Sequence, residues 1–334
     1  MTENQRRQVL GEMPVGASRA VWHGSAQDTI EIGLLNNMPD QALRTTERQF
    51  LELIGSVAGS RRVRVSRFFL SEVPRSEVAL AYLRNQYIDA SALFEADLDA
   101  LILTGQEPRA PNLSDEPYWR SLTNVIDWAR DNTISSIWSC LAAHAAVLHL
   151  DGIGRQRLPN KLSGVFNCDV KQDDQLLHGV SRTICVPHSR YNGVPEGDLV
   201  RAGYRILTRS LRTGPDLFVK DGRSLFIFFQ GHPEYDAHTL LGEYRRDMAR
   251  YLSGEMESVP AFPQDYFERP SMRVFEDFAE RARCDRRSEL IGKFPEKSIA
   301  ATLTNRWRPY ATAIFGNWLD YVASQKAVRG LHSL

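Results

Sequence analysis

The stretch Thr133-Ile-Ser-Ser-Ile-Trp-Ser-Cys140-Leu-Ala-Ala-His-Ala-Ala-Val147 changes character at its middle. The uncharged run before Cys140 carries β-branched and aromatic residues and fits a central strand, whereas the alanine-rich run after it fits a helix. A thiol at such a junction lies against the unpaired amides of a helix N-terminus, which favours the reactive thiolate. Far downstream, Ser224-Leu-Phe-Ile-Phe-Phe-Gln-Gly231 is apolar enough for a strand buried on both faces and ends in a glycine. It places His232, the first residue of His232-Pro-Glu234, at a strand's carboxyl end, the edge where chemistry gathers in open α/β sheets. Glu234 is near enough in sequence to hydrogen-bond the imidazole, fix its tautomer and stabilise the imidazolium. A lone Cys after a strand is more often a small core residue. With a plausible His partner it becomes a candidate nucleophile, so Cys140, His232 and Glu234 form the candidate catalytic set. His144, one helical turn after Cys140, reads as a core contact rather than a second base.

Outward from this stretch, elements alternate. Thr29-Ile-Glu-Ile-Gly-Leu-Leu35 is the first strand, the spacing of Leu43, Phe50, Leu51 and Ile54 predicts a helix over 41–54, and 62–70 alternates as a strand. A further strand over 98–103 closes on Thr104-Gly105, and a helix over 118–130 leads to the strand before Cys140. Strand and helix in alternation imply crossover connections and a mostly parallel sheet flanked by helices. Beyond residue 160 come shorter strands around Val165, Ile184 and Tyr204, then a hairpin marked by Asp221-Gly222. A helix over 237–252 and a proline-bearing linker over 259–270 follow, then two amphipathic helices near 272–285 and 307–325. The chain thus divides into a polar N-terminal segment (1–28), an α/β catalytic domain (29–255), and a linker with a C-terminal helical appendage (256–334). The apolar run Phe315-Gly-Asn-Trp-Leu-Asp-Tyr321 is a candidate homodimer interface.

Composition narrows the classes. The 334 residues are 43% hydrophobic and 25% charged, with 41 Lys plus Arg against 41 Asp plus Glu. That balance suggests neither a nucleic-acid nor a membrane partner, while the arginine-rich positive charge suits fixed recognition of carboxylates and phosphates. Cys140, Cys168, Cys185 and Cys284 show no CxxC spacing, so neither a zinc site nor a redox pair is indicated. No run approaches the length of a membrane span and no signal-like stretch follows Met1, so a cytoplasmic protein is expected.

A strand, a Cys elbow, a helix and a distant His-Pro-Glu resemble the triad domain of class I glutamine amidotransferases. Those enzymes have glycines flanking the nucleophile, where this chain has Ser139 and Leu141, which argues against glutamine hydrolysis. A fuller resemblance, over residues 29–325, is to the homoserine O-succinyltransferase family, which builds on that amidotransferase-like fold. It rests on Leu35-Asn-Asn-Met-Pro39, Leu103-Thr-Gly105, Tyr118-Trp119, Lys161-Leu-Ser-Gly164, Pro187-His-Ser-Arg-Tyr191, Gly231-His-Pro-Glu-Tyr-Asp236, Glu243, Arg246-Asp247 and Asn317-Trp-Leu319, in this order.

The resemblance implies acyl transfer from acyl-CoA to the hydroxyl of L-homoserine, with Cys140 acylated, His232 as base and acid, and Glu234 as its partner. The backbone at Leu141 and Gly105 would hold the oxyanion. Acyl-CoA is a co-substrate, and no resident cofactor or metal is expected. Glu243 is assigned to the acceptor's ammonium and Arg246 to its carboxylate; on spacing alone the pair is more simply a surface i,i+3 salt bridge. Lys161, Ser189 and Arg190 are further pocket residues by resemblance. The family position matching Arg109 is commonly glycine in succinyl-transferring members and glutamate in acetyl-transferring ones. An arginine there could pair with a succinyl carboxylate, unless Arg109 faces solvent and Glu107 takes its place. Succinyl-CoA is the favoured donor; acetyl-CoA, a serine acceptor and a glutamine-hydrolysing subunit remain the alternatives.

Overall fold

A computed structural model describes residues 29–331, so the segment 1–28 lies outside the described residues. In chain order the main elements are β1 (Thr29–Leu35), α1 (Asp40–Val57), β2 (Arg62–Phe69), α2 (Glu77–Gln86), β3 (Ile88–Asp89), β4 (Ala100–Thr104), α3 (Trp119–Asn132), β5 (Ser135–Ser139) and α4 (Leu141–Asp151). Then come β6 (Gln156–Val170), β7 (Thr183–Gly193), α5 (Glu196–Arg201), β8 (Arg205–Ile206), β9 (Thr208–Ser210), β10 (Gly214–Pro215), β11 (Leu217–Lys220) and β12 (Leu225–Phe229). Among the described residues four α-helices follow: α6 (Thr239–Leu252), α7 (Arg269–Cys284), α8 (Glu296–Ala300) and α9 (Arg308–Leu331).

The main sheet has the order β3-β2-β1-β4-β5-β12-β11-β8. Its first six strands are mutually parallel, and β11 and β8 run antiparallel to their neighbours. This is the α/β architecture expected from the alternation of elements. Every residue of β4, β5 and β12 is buried, as in parallel strands covered on both faces. One face packs on α1 and α9, through Phe50, Leu53, Ile54, Phe315 and Trp318. The other packs on α3 and α4, through Leu122, Val125, Ala143 and Val147. The hairpin at Asp221-Gly222 joins β11 to β12 in antiparallel register, Lys220 opposite Phe226.

The looser region after residue 160 forms a second, antiparallel sheet of order β10-β9-β6-β7. The strand expected around Tyr204 divides in two. β8 pairs with β11 in the main sheet, and β9 pairs with β6 in the small one, so the chain passes between sheets within a few residues. The short helix α2 buries only Ala79 and Leu83, too few apolar positions to announce a 3.6-residue period.

A third core joins α6 to α7, α8 and Trp307, and includes Val165 and Tyr235. The last helix departs from expectation. Phe315, Trp318 and Leu319 are fully buried against the main sheet, and the Trp318 indole donates to Ser135 Oγ at 3.1 Å. The large apolar side chains of the run 315–321 are therefore covered within the chain, while Gly316, Asn317 and Tyr321 stay partly exposed and Asp320 exposed. The run reads as a free amphipathic face in sequence because the sheet that covers it is distant along the chain. Among the described residues no helix is long and apolar enough to cross a membrane.

Candidate active site

Three neighbouring parallel strands end together. Thr104 of β4, Ser139 of β5 and Phe229 of β12 are register partners, so the residues that follow them emerge at one edge. Cys140 follows Ser139 with φ 53° and ψ −109°, one of two non-glycine residues with positive φ among those described. Its amide donates to Phe229 O at 2.7 Å, which continues the ladder by one step before α4 begins. The side chain makes no capping hydrogen bond. The turn is held by the strand on one side and the helix on the other, as expected where backbone strain persists at a functional residue.

His232 lies three positions beyond the end of β12, with its amide donating to Pro187 O at 2.9 Å. The preceding Gly231 donates to the buried Asp216 carboxylate at 2.9 Å. A Cβ at Gly231 would meet Val186 Cγ1 at 2.4 Å and Asp216 Oδ1 at 2.7 Å, so only glycine lets the strand end pass between them. His232 Nδ1 pairs with Glu234 Oε1 at 2.8 Å, and its ring stacks on Tyr235 at 4.2 Å between centroids. Burial pulls the imidazole pKa down, but the Glu234 carboxylate and the Cys140 thiolate outweigh it and raise the pKa well above the usual value. His232 is thereby suited to carry a proton beside Cys140.

Gly105, just past β4, presses on the start of α4. A Cβ there would stand 2.5 Å from Leu141 Cβ and 2.7 Å from Ala142 N. The backbone of residues 105 and 141 therefore meets beside Cys140, where the first amides of a helix lack intrahelical acceptors. His144 faces the same cavity but is no base. It is buried, shares a 3.2 Å hydrogen bond with Gln230, and burial, with Arg190 and Arg155 nearby, lowers its pKa to about 3.

These groups line a cavity of about 520 Å³. Its walls include Cys140, Leu141, His232, Glu234 and Gly105, together with Lys161, Ser189, Arg190, Glu243 and Arg246. The small sheet supplies Lys161 from β6 and Ser189 and Arg190 from β7, while α6 supplies Glu243 and Arg246. Glu243 and Arg246 do not pair with each other. Arg246 binds Asp247 Oδ1 at 3.2 Å, Lys161 binds Asp247 Oδ2 at 2.5 Å, and Glu243 Oε1 accepts from Tyr235 Oη at 3.0 Å. Glu243 Oε2 is buried without a hydrogen-bond partner among the described residues.

Arg190 lines the cavity with its donors already engaged. It donates to His188 Nδ1 at 3.3 Å, Asn192 O at 2.5 Å and Thr213 O at 2.6 Å. It braces the hairpin and sets a buried positive charge within electrostatic reach of Cys140. His188 is wholly buried, edge-on to Phe166 and 3.5 Å from Asp216. Arg109 is the departure: its side chain is exposed and absent from the cavity wall. Glu116 Oε1 takes the amides of residues 109 and 110, at 2.5 and 2.6 Å, and this anchor turns the Arg109 side chain outward. Glu107 lines the wall in its place.

Three cavity residues were not legible in advance. Tyr235 bridges His232 to Glu243; its position directly after His-Pro-Glu was the available signal. Arg155 enters from just before β6 and Arg157 from its start, a stretch with no pattern pointing inward. No three His, Cys, Asp or Glu side chains among the described residues are grouped so as to hold a metal ion.

Comparison with known proteins bears on this geometry. Residues 13–329 match the sequence model of the family described as homoserine O-succinyltransferase. A homoserine O-succinyltransferase of Rhodopseudomonas palustris is 46% identical over 301 residues, covering 90% of each chain. One from Bradyrhizobium japonicum is 46% identical over 313 residues, covering 93% of this chain and 94% of that one. Among solved structures, a glutamine amidotransferase from Thermotoga maritima aligns over 88% of this chain and 98% of its own, with TM-score 0.49 and 11% identity.

Proposed function

The chain belongs to the homoserine O-succinyltransferase family and is an acyltransferase acting on homoserine in methionine biosynthesis; from that premise we propose that it moves the succinyl group of succinyl-CoA to the L-homoserine hydroxyl through a thioester on Cys140. The observation that carries this mechanism is Cys140 held at positive φ on the strand-to-helix turn, in one cavity with the hydrogen-bonded His232–Glu234 pair.

The Cys140 thiolate attacks the thioester carbonyl, and the oxyanion forms beside the amides at residues 105 and 141. The C–S bond to CoA then breaks, and the His232 imidazolium protonates the departing thiol. Having given up that proton, His232 is neutral and able to accept another. In the second half-reaction it takes the proton of the homoserine hydroxyl, whose oxygen attacks the enzyme thioester and expels Cys140 as thiolate. Glu234 holds the ring through both steps. Acyl-CoA is consumed as a substrate, and the sequence of steps needs no resident cofactor.

The acceptor's two charges find separate hosts on α6. The unpartnered Glu243 Oε2 can take the ammonium, and Arg246, tied to Asp247 by one edge, can take the carboxylate with its remaining donors. That Glu243 and Arg246 are not joined to each other favours this reading over a structural salt bridge.

The test is direct. Incubating the protein with succinyl-CoA and no acceptor should add a succinyl mass to the peptide containing Cys140, and added homoserine should discharge it as O-succinylhomoserine. Cys140→Ala should lose both while keeping the fold by circular dichroism. Acylation elsewhere, or turnover by the alanine variant, would defeat the thioester route.

A further inference from the structure

With Arg109 outside the cavity, the charge that would receive a dicarboxylic acyl group must come from elsewhere. Five Lys and Arg side chains line the wall. Lys161 and Arg246 are committed to Asp247, and Arg190 is committed to His188 and two carbonyls. Arg157 is exposed and lies over the Tyr191 ring at 4.6 Å. Arg155 differs from all of these. It is half-buried, has no carboxylate within ion-pair distance among the described residues, and makes one long hydrogen bond, Nη2 to Pro111 O at 3.4 Å. Most of its donors are thus left to solvent and to whatever enters the cavity, and an anion there could accept from them.

Its position fits the acyl end of the cavity. Pro111 closes the loop that begins at Gly105, so one continuous segment, through Glu107, Pro108 and Ala110, forms the wall from the meeting point with Leu141 to the Arg155 guanidinium. Arg155 is also within electrostatic reach of His144, one turn along α4 from Cys140. The other titratable groups around it are Tyr118, Arg157 and Glu116. Glu116 is occupied by the amides of residues 109 and 110, and the Glu107 carboxylate is turned to Arg250 of α6 at 3.6 Å. Neither satisfies Arg155.

The geometry points to Arg155 as the residue that selects the acyl donor, by pairing its guanidinium with the distal carboxylate of a four-carbon dicarboxylic acyl group on CoA. This assignment rests on the acyl-transfer reading of the same cavity and adds the determinant of its donor. A planar guanidinium can hold that carboxylate by two parallel hydrogen bonds, which an acetyl group cannot make. The contact is present while the acyl group is bound as CoA thioester and again when it is carried on Cys140.

The experiment measures kcat/KM for succinyl-CoA and acetyl-CoA with saturating homoserine, in the full chain and in Arg155→Met and Arg155→Lys. The wild type should prefer succinyl-CoA. Arg155→Met should lower the succinyl-to-acetyl ratio by about ten-fold or more, chiefly through the succinyl value. Arg155→Lys keeps the charge without the planar fork and should fall between the two; it also carries the test if the methionine variant folds poorly. A ratio unchanged in both variants overturns the assignment. So does an equal fall for both donors, which would put Arg155 on the CoA moiety, and so does a wild-type preference for acetyl-CoA. Formation of O-acylhomoserine by the wild type with either donor, and the acyl mass on Cys140, report separately on the acyl-transfer reading.

Discussion

Arg246 illustrates how a single residue's meaning depends on what its neighbours leave free. Three residues from Glu243 on one helix, it would form an i,i+3 pair worth a few tenths of a kcal/mol on a solvated surface. In the fold both side chains face the cavity and each is held by something else, Glu243 by Tyr235 and Arg246 by Asp247. Arg246→Ala should therefore raise the KM for homoserine by about ten-fold or more and leave the rate of Cys140 acylation by succinyl-CoA little changed. Equal acceptor kinetics in variant and wild type, with only a small stability change, would return the residue to a structural role. The candidate triad could be named from sequence because its pattern is written locally, a thiol between a strand and a helix, a histidine after a strand, a carboxylate two positions on. Arg109 was misplaced because the side chain that fixes its direction, Glu116, acts through backbone amides, and no pattern in a loop announces such a contact.

At the scale of elements, the site is made by register. The carboxyl ends of β4, β5 and β12 coincide, and that brings Gly105, Cys140 and the approach to His232 to one edge. Gly105 is a tight joint, because its backbone touches the first turn of α4. Gly105→Ala would drive the two apart, and with them the amides proposed to hold the oxyanion. Losing one such donor typically costs about 10²–10³ in kcat, so a fall of that order is expected in both half-reactions, measured as the single-turnover acylation and deacylation rates. A variant with wild-type rates would show that the joint does not shape the oxyanion site. The helices after residue 252 act on the site at the same scale. Trp307 Nε1 and Asn305 Nδ2 both donate to Tyr235 O, at 2.7 and 3.0 Å, so the third core grips the residue that links His232 to Glu243.

Across the whole molecule, the chain closes on itself. The last helix, α9, returns to the sheet that the first described strand began, and Lys326 Nζ reaches Thr29 O at 2.7 Å and Asp99 Oδ2 at 2.6 Å. Trp318 lies at the centre of that closure, packed on Phe315 at 5.9 Å and hydrogen-bonded to Ser135. Trp318→Ala should cost about 3–5 kcal/mol, read as a shift of the urea midpoint of the entire main sheet. Loss of only a small, early transition would mean that α9 is an independent appendage after all. The amino-acid sequence by itself determined the α/β class, the strand-to-helix turn at Cys140 and the candidate triad, because alternating strand and helix periods and a nucleophile between them are properties of contiguous residues. Its Glu243 and Arg246 were placed on one helix face by the same logic. Only the tertiary structure decided which guanidinium enters the cavity, that β8 and β9 belong to different sheets, and that Phe315, Trp318 and Leu319 are core. Those outcomes depend on contacts between residues far apart in the chain, such as Trp318 with Ser135 and Arg155 with the loop that begins at Gly105, where burial and the direction of each side chain are set by partners that no local pattern names.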